Sequence, residues 1–129
     1  MTEPFRLHPG TLLEGDIQGQ IIEYLRHEQA RGRVVWFERS NGGGGRVAGR
    51  WVWFYRLFLL GKEPVSTGKA DIVGMLDGGR FFALEVKRPK RGRASNDQRE
   101  YLAAVAGGGG IAATVRSFQD AKRELFGEG

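Results

Sequence analysis

Three segments hold the side chains that could do chemistry: Gly68-Lys69-Ala70-Asp71, Glu85-Val86-Lys87 and Ser95-Asn96-Asp97-Gln98. Side chains two apart on a strand share a face. A strand over residues 80–87 therefore points Glu85 and Lys87 one way and Phe82, Leu84 and Val86 the other, toward a core. Asp71 opens the preceding apolar run, and pairing of the two runs brings its carboxylate beside Glu85. Two adjacent carboxylates repel unless a cation sits between them. Mg²⁺ is the ordinary solution, with oxygen ligands at about 2.0–2.1 Å completed by waters and a phosphate oxygen. Such an ion lowers the pKa of a bound water and polarises a phosphoryl oxygen. Lys87 beside it would orient or help deprotonate the attacking water and offset charge on the scissile phosphate. Glu-x-Lys alone is a common pattern of ordinary strands, so the weight rests on the combination.

The elements that must position these groups follow from pattern. Residues 14–30 read as a helix, with Ile17, Ile21 and Leu25 at helical spacing, Ile22 beside them and Gly32 at the end. Glu14 lies one turn before Ile17 on that stripe and Gln18 flanks it. A carboxylate there either serves a site or complements the helix dipole in the first turn. Residues 34–39 read as a strand, and 40–49 as a mobile glycine-rich loop without the ending of a phosphate-binding loop. Residues 50–60 read as a strand apolar on both faces, most of its aromatics in the core. An exposed aromatic there would suit a dimer seam or a base-stacking platform. Residues 61–67 form a turn. Residues 71–76 and 80–87, joined by Asp77-Gly78-Gly79, read as a β-hairpin ended by Pro89. A helix over 95–106 carries Gln98, Tyr101, Leu102 and Val105 on one stripe, which places Gln98 near the carboxylates. Ser95-x-x-Gln98 also fits a capping box. A strand over 111–115 and a helix over 117–126 close the chain. The fold class expected is α/β, a sandwich of a mixed, hairpin-rich sheet flanked by helices, in one domain spanning residues 1–129.

Composition narrows the chemistry further. The chain has 129 residues, no Cys and 2 His. This removes disulfide scaffolds, Cys-ligated zinc and thiol nucleophiles, and makes a His-based metal cage or hydrolase triad a poor fit. The formal net charge is +5, and residues 80–99 alone, with seven basic side chains against Glu85 and Asp97, carry that same excess. Lys69, Arg88, Lys90, Arg91, Arg93 and Arg99 are the candidate phosphate contacts, since Lys and Arg supply most nonspecific nucleic-acid affinity. Arginine dominates, which favours bidentate contact. No targeting or membrane segment is visible, and the expected location is cytoplasmic, in a bacterial or phage-infected cell.

Taken together, Gly68-x-x-Asp71, Gly78-Gly79-Arg80, Glu85-Val86-Lys87-Arg88, Gly92-Arg93-x-Ser95-x-x-Gln98, Gly109-Gly110 and Val115-Arg116-Ser117 resemble the VRR-NUC domain. This is the virus-type replication-repair nuclease group of the PD-(D/E)xK superfamily. Glu14-x-x-x-Gln18 is similar to the family's first-helix motif, so the resemblance runs from about residue 14 to residue 125. Ala70 departs from the Pro of the superfamily name, and the glycine-rich stretch 42–49 has no counterpart. The resemblance implies a restriction-endonuclease-like fold with core order αβββαβ and metal-dependent cleavage of DNA. The DNA would be branched, a Holliday junction or a flap, met in replication, recombination or repair. It also implies roles. Asp71, Glu85 and the Val86 carbonyl would bind Mg²⁺ or Mn²⁺, Lys87 would be the catalytic lysine, and Gln98 would position the site. Glu14 would add a metal contact directly or through water. Monomer and homodimer both stay open. The rival expectation is a non-catalytic module that holds nucleic acid through residues 88–93.

Overall fold

The computed structural model describes residues 13–40, 43–89 and 92–128. Three layers stack around a four-stranded mixed sheet. Its strands are β1 (Val34–Arg39), β4 (Ile72–Leu76), β5 (Phe81–Val86) and β6 (Ile111–Val115), in spatial order β1-β4-β5-β6. The first three pair antiparallel and β6 joins β5 in parallel. Helices α1 (Glu14–Ala30) and α3 (Phe118–Phe126) cover one face, and α2 (Asn96–Gly107), which connects β5 to β6, covers the other. A separate ribbon, β2 (Gly44–Val47) with β3 (Arg50–Trp53), stands outside the main sheet. Among the described residues no helix is long and apolar enough to cross a membrane.

The period-two pattern of β5 divides the core. Phe82, Leu84 and Val86 are fully buried against Ile17, Ile21 and Leu25 of α1 and Ala121 and Leu125 of α3. Ala83 faces the other layer, with Ala70, Val73 and Tyr101. The β4–β5 turn forms where Asp77-Gly78-Gly79 predicts it, and both glycines adopt positive φ. Helix α2 begins with the expected box: Gln98 N donates to Ser95 Oγ at 3.2 Å, and Ser95 N donates to Gln98 Oε1 at 2.7 Å.

Two expectations fail, both between residues 40 and 60. The stretch expected as a loop contains β2, paired with β3 through a tight turn at Ala48-Gly49, both at positive φ. The strand expected over 50–60 ends at Trp53. Its aromatics are not core: Trp51 and Trp53 are 55% and 54% exposed, and Phe58 is 75% exposed. Apolar residues on both faces ordinarily mark a strand with a layer on each side. Here the strand has one short partner and no layer, so the same pattern lies in solvent.

Candidate active site

The register of the central hairpin sets the site. Ile72 pairs with Leu84, so Asp71, one residue before β4, reaches the level of Glu85. Both side chains lie on the α2 face. There Asp71 Oδ2 accepts a hydrogen bond from Val86 N at 2.8 Å, so the end of one strand fixes the carboxylate of the other.

Glu85 is only 1% exposed. Its Oε1 accepts from Gln98 Nε2 at 2.8 Å and lies 3.4 Å from Lys87 Nζ. Its Oε2 is buried with no hydrogen-bond partner among the described residues. Burial, followed by the negative charge of Asp71, pushes the Glu85 carboxyl up to about 8 despite the opposing effect of Lys87. Burial and the neighbouring Asp71 charge thus both favour the protonated form of Glu85.

The donor set fits a hard divalent ion. A buried, unpartnered carboxylate oxygen beside a second carboxylate is what Mg²⁺ or Mn²⁺ prefers, and Mg²⁺ commonly takes one or two carboxylates with the rest from water and phosphate. No group of three or more His, Asp or Glu side chains gathers among the described residues. The protein's contribution would thus be Asp71, Glu85 and a backbone carbonyl such as that of Val86. Glu14 is the further metal contact that the resemblance implies. It opens α1, which packs on the opposite face of the sheet from Glu85, and it makes no hydrogen bond or ion pair to Asp71, Glu85 or Lys87.

Gln98 performs both functions open to it. Its Oε1 is taken by Ser95 N, which turns the amide nitrogen toward Glu85. The cap thus orients the amide that holds the catalytic candidate. A cleft of about 220 Å³ opens beside these groups, bounded by Ser40, Tyr55, Thr67, Lys69, Asp71 and Gln98. Three of its walls lie outside the residues expected from sequence. Ser40 donates its backbone N–H to Asp71 O at 2.7 Å, and its buried hydroxyl has no partner among the described residues. Tyr55 accepts from Lys69 N at 3.2 Å. Thr67 donates to Asp97 Oδ2 at 2.6 Å. Gly68 lies between them at φ 96°, where a Cβ would come within 2.7 Å of the Asp97 backbone. Close approach of the chain to α2 accounts for the glycine three residues before Asp71. A lone Ser or Tyr in an irregular segment carries no periodicity, so only the Gly68 spacing signalled this wall.

The basic residues divide. Lys69 lines the cleft and pairs with Glu38 at 3.0 Å, with its ammonium 5.8 Å from the Tyr55 ring. Arg93 and Arg99 are exposed, and Arg99 turns back onto Ala94 O at 2.9 Å and onto Asn96 Oδ1. Arg88 is half-buried beside Lys87 in sequence. Lys90 and Arg91 lie outside the described residues. Arg116 donates to Arg88 O at 2.6 Å and Gly92 O at 2.9 Å, clamping both ends of the basic segment to the exit of β6. Arg80, part of the same charge excess, stands at the far end of β5, about 17 Å from Glu85 by strand rise.

The chain matches no family model, and no curated protein and no solved structure matches it at a significant level.

Proposed function

We propose that this protein is a divalent-cation-dependent deoxyribonuclease of the VRR-NUC kind, on a restriction-endonuclease-like fold, hydrolysing phosphodiester bonds in branched DNA. The observation that carries this reading is the buried Oε2 of Glu85, which has no hydrogen-bond partner among the described residues, on a carboxylate whose other oxygen is held by Gln98 and Lys87. With the β2–β3 ribbon and α3 set aside, the chain order α1-β1-β4-β5-α2-β6 is compatible with the αβββαβ core that the resemblance implies. A bound Mg²⁺ or Mn²⁺ supplies Lewis acidity at the scissile phosphate and a water of lowered pKa.

The chain's own groups do the rest. Asp71 and Glu85 supply the negative charge that holds the ion. Gln98 fixes the Glu85 carboxylate in one orientation. Lys87, held near Glu85, can offset charge on the phosphate and place or accept a proton from the attacking water. Arg88 and Arg93, near the exit of β5, provide cations for flanking phosphates, with the segment held by Arg116. These phosphate contacts position the strand and carry no sequence information.

The test is a cleavage panel of end-labelled four-way junction, flap, blunt duplex and single-stranded DNA with Mg²⁺, Mn²⁺ or EDTA. The expected result is metal-dependent nicking that is strongest on a branched substrate and absent in EDTA. Salt-dependent binding without products under either metal would refute the assignment and favour the binding module.

A further inference from the structure

Among the described residues, the β2–β3 ribbon presents large apolar side chains with no layer packed against them. A two-stranded hairpin alone is marginal in water. This one nevertheless presents Trp51 and Trp53, both more than half exposed, with ring centroids 5.6 Å apart in an edge-to-face pair. Alternation puts the two indoles on the same face of β3, and the register adds Arg46, opposite Trp51. The glycine at position 44 makes that face possible, because a Cβ there would meet the Trp51 indole nitrogen at 2.9 Å.

Two features indicate what covers this face. The first is charge. Residues 43–60 include Arg46, Arg50 and Arg56 and no acidic residue. Two copies of the ribbon would oppose like charges, whereas a polyanion complements them. The second is continuity with the cleft. Phe54 N donates to Gly43 O at 2.9 Å at the root of the ribbon, and Gly43 and Tyr55 both line the cleft that holds Asp71 and Gln98. The ribbon therefore rises from the wall of the candidate active site. Exposed aromatics interleaved with arginine form a stacking platform for unpaired bases, because every base offers a π-face and the guanidinium groups meet the phosphates.

We propose that the β2–β3 ribbon is a base-stacking arm on which Trp51 and Trp53 take unpaired nucleobases of DNA adjoining the cleft. This makes the substrate class DNA with a single-stranded segment, and it rests on the nuclease reading for the identity of its partner.

The experiment is performed in EDTA, so binding is read without cleavage. Affinities of the full chain are measured by fluorescence anisotropy for an oligo(dT) of about 16 nucleotides and for a blunt duplex. The variants are Trp51→Ala/Trp53→Ala, Trp51→Phe/Trp53→Phe and, for comparison, Arg26→Ala, an exposed cation on α1. The alanine pair is expected to lose about tenfold or more in oligo(dT) affinity, with duplex affinity within about threefold and thermal unfolding unchanged. The phenylalanine pair is expected to restore most of the loss, and Arg26→Ala to bind oligo(dT) within about threefold of the unaltered chain. Equal loss on both DNAs, or no loss on oligo(dT), overturns the arm. So does conversion of a dimer to a monomer by the alanine pair in sedimentation, which would make the ribbon a seam between copies. A chain that stacks oligo(dT) through these tryptophans but never cuts DNA would retain the arm and refute the nuclease reading.

Discussion

The two oxygens of Glu85 have different surroundings, and the chemistry follows from the difference. Oε1 is satisfied by Gln98 and Lys87, while Oε2 is left to a proton or a cation. Removing Gln98 should therefore loosen the carboxylate without removing it. We expect Gln98→Ala to raise the Mn²⁺ concentration needed for half-maximal activity by about 10- to 100-fold. Because the Ser95 hydroxyl still caps the helix, α2 should keep its circular-dichroism signal. The Glu85 carboxyl, raised to about 8, also gives a pH dependence with a definite sign. In the metal-free protein its folded value exceeds the ordinary 4.5. Its contribution to stability is thus complete below about pH 4.5 and is lost as pH rises through about 8. A divalent ion must displace that proton, so calorimetry of Mn²⁺ binding in buffers of different ionisation enthalpy should show proton release at pH 7. Affinity should increase with pH up to about 8. Pairing with the cation should reverse the alkaline loss of stability.

At the scale of elements, α1 is fastened to the start of β1 and the C-terminus by a buried ionic cluster. Glu28 is fully buried and accepts from Tyr24 at 2.9 Å, from Arg31 at 3.0 Å and from Arg33. Arg33 also pairs with Glu128 at 2.8 Å and lies over the Phe126 ring at 3.9 Å. Burial alone would raise the Glu28 carboxyl, but the hydrogen bonds from Arg33 and Tyr24 outweigh it and hold it below the usual range. Arg33→Ala leaves that carboxylate buried with weaker partners, and denaturant unfolding should show a loss of about 3 kcal/mol. In the unaltered chain the contribution of Glu28 is present above its ordinary pKa and is lost as pH falls through the depressed folded value. Acid unfolding should therefore begin below about pH 4.5. Nothing in the sequence marked this cluster, since its members are scattered charges without a common period.

The central hairpin was legible because Asp-Gly-Gly between two apolar runs has few alternative readings, and period-two alternation then fixed the facing of Glu85 and Lys87. Gln98 was legible from the stripe it heads on α2. The ribbon was not, because β-pattern arguments assume that an apolar face is covered. At 51–54 that face is left to solvent. Glu14 heads the α1 stripe, which packs on the other layer of the sheet.

For the whole molecule, the charge excess of residues 80–99 does not form one patch around Glu85. Arg80 is carried to the far end of the sheet, where Nε donates to Gly109 O at 3.0 Å. Arg88 and Arg93 remain on the segment clamped by Arg116, whereas Arg46 and Arg50 stand on the separate β2–β3 ribbon. Cleavage of DNA by the Asp71 and Glu85 pair together with Lys87 is the central proposal. The most direct measurement is single-turnover cleavage of a labelled four-way junction in Mn²⁺ by the unaltered chain, Glu85→Ala and Lys87→Ala, each checked for native unfolding. Metal-dependent cleavage by the unaltered chain, with a loss of about 10³-fold or more in each variant, is predicted. Cleavage that persists undiminished in both folded variants, or that proceeds equally in EDTA, would contradict it.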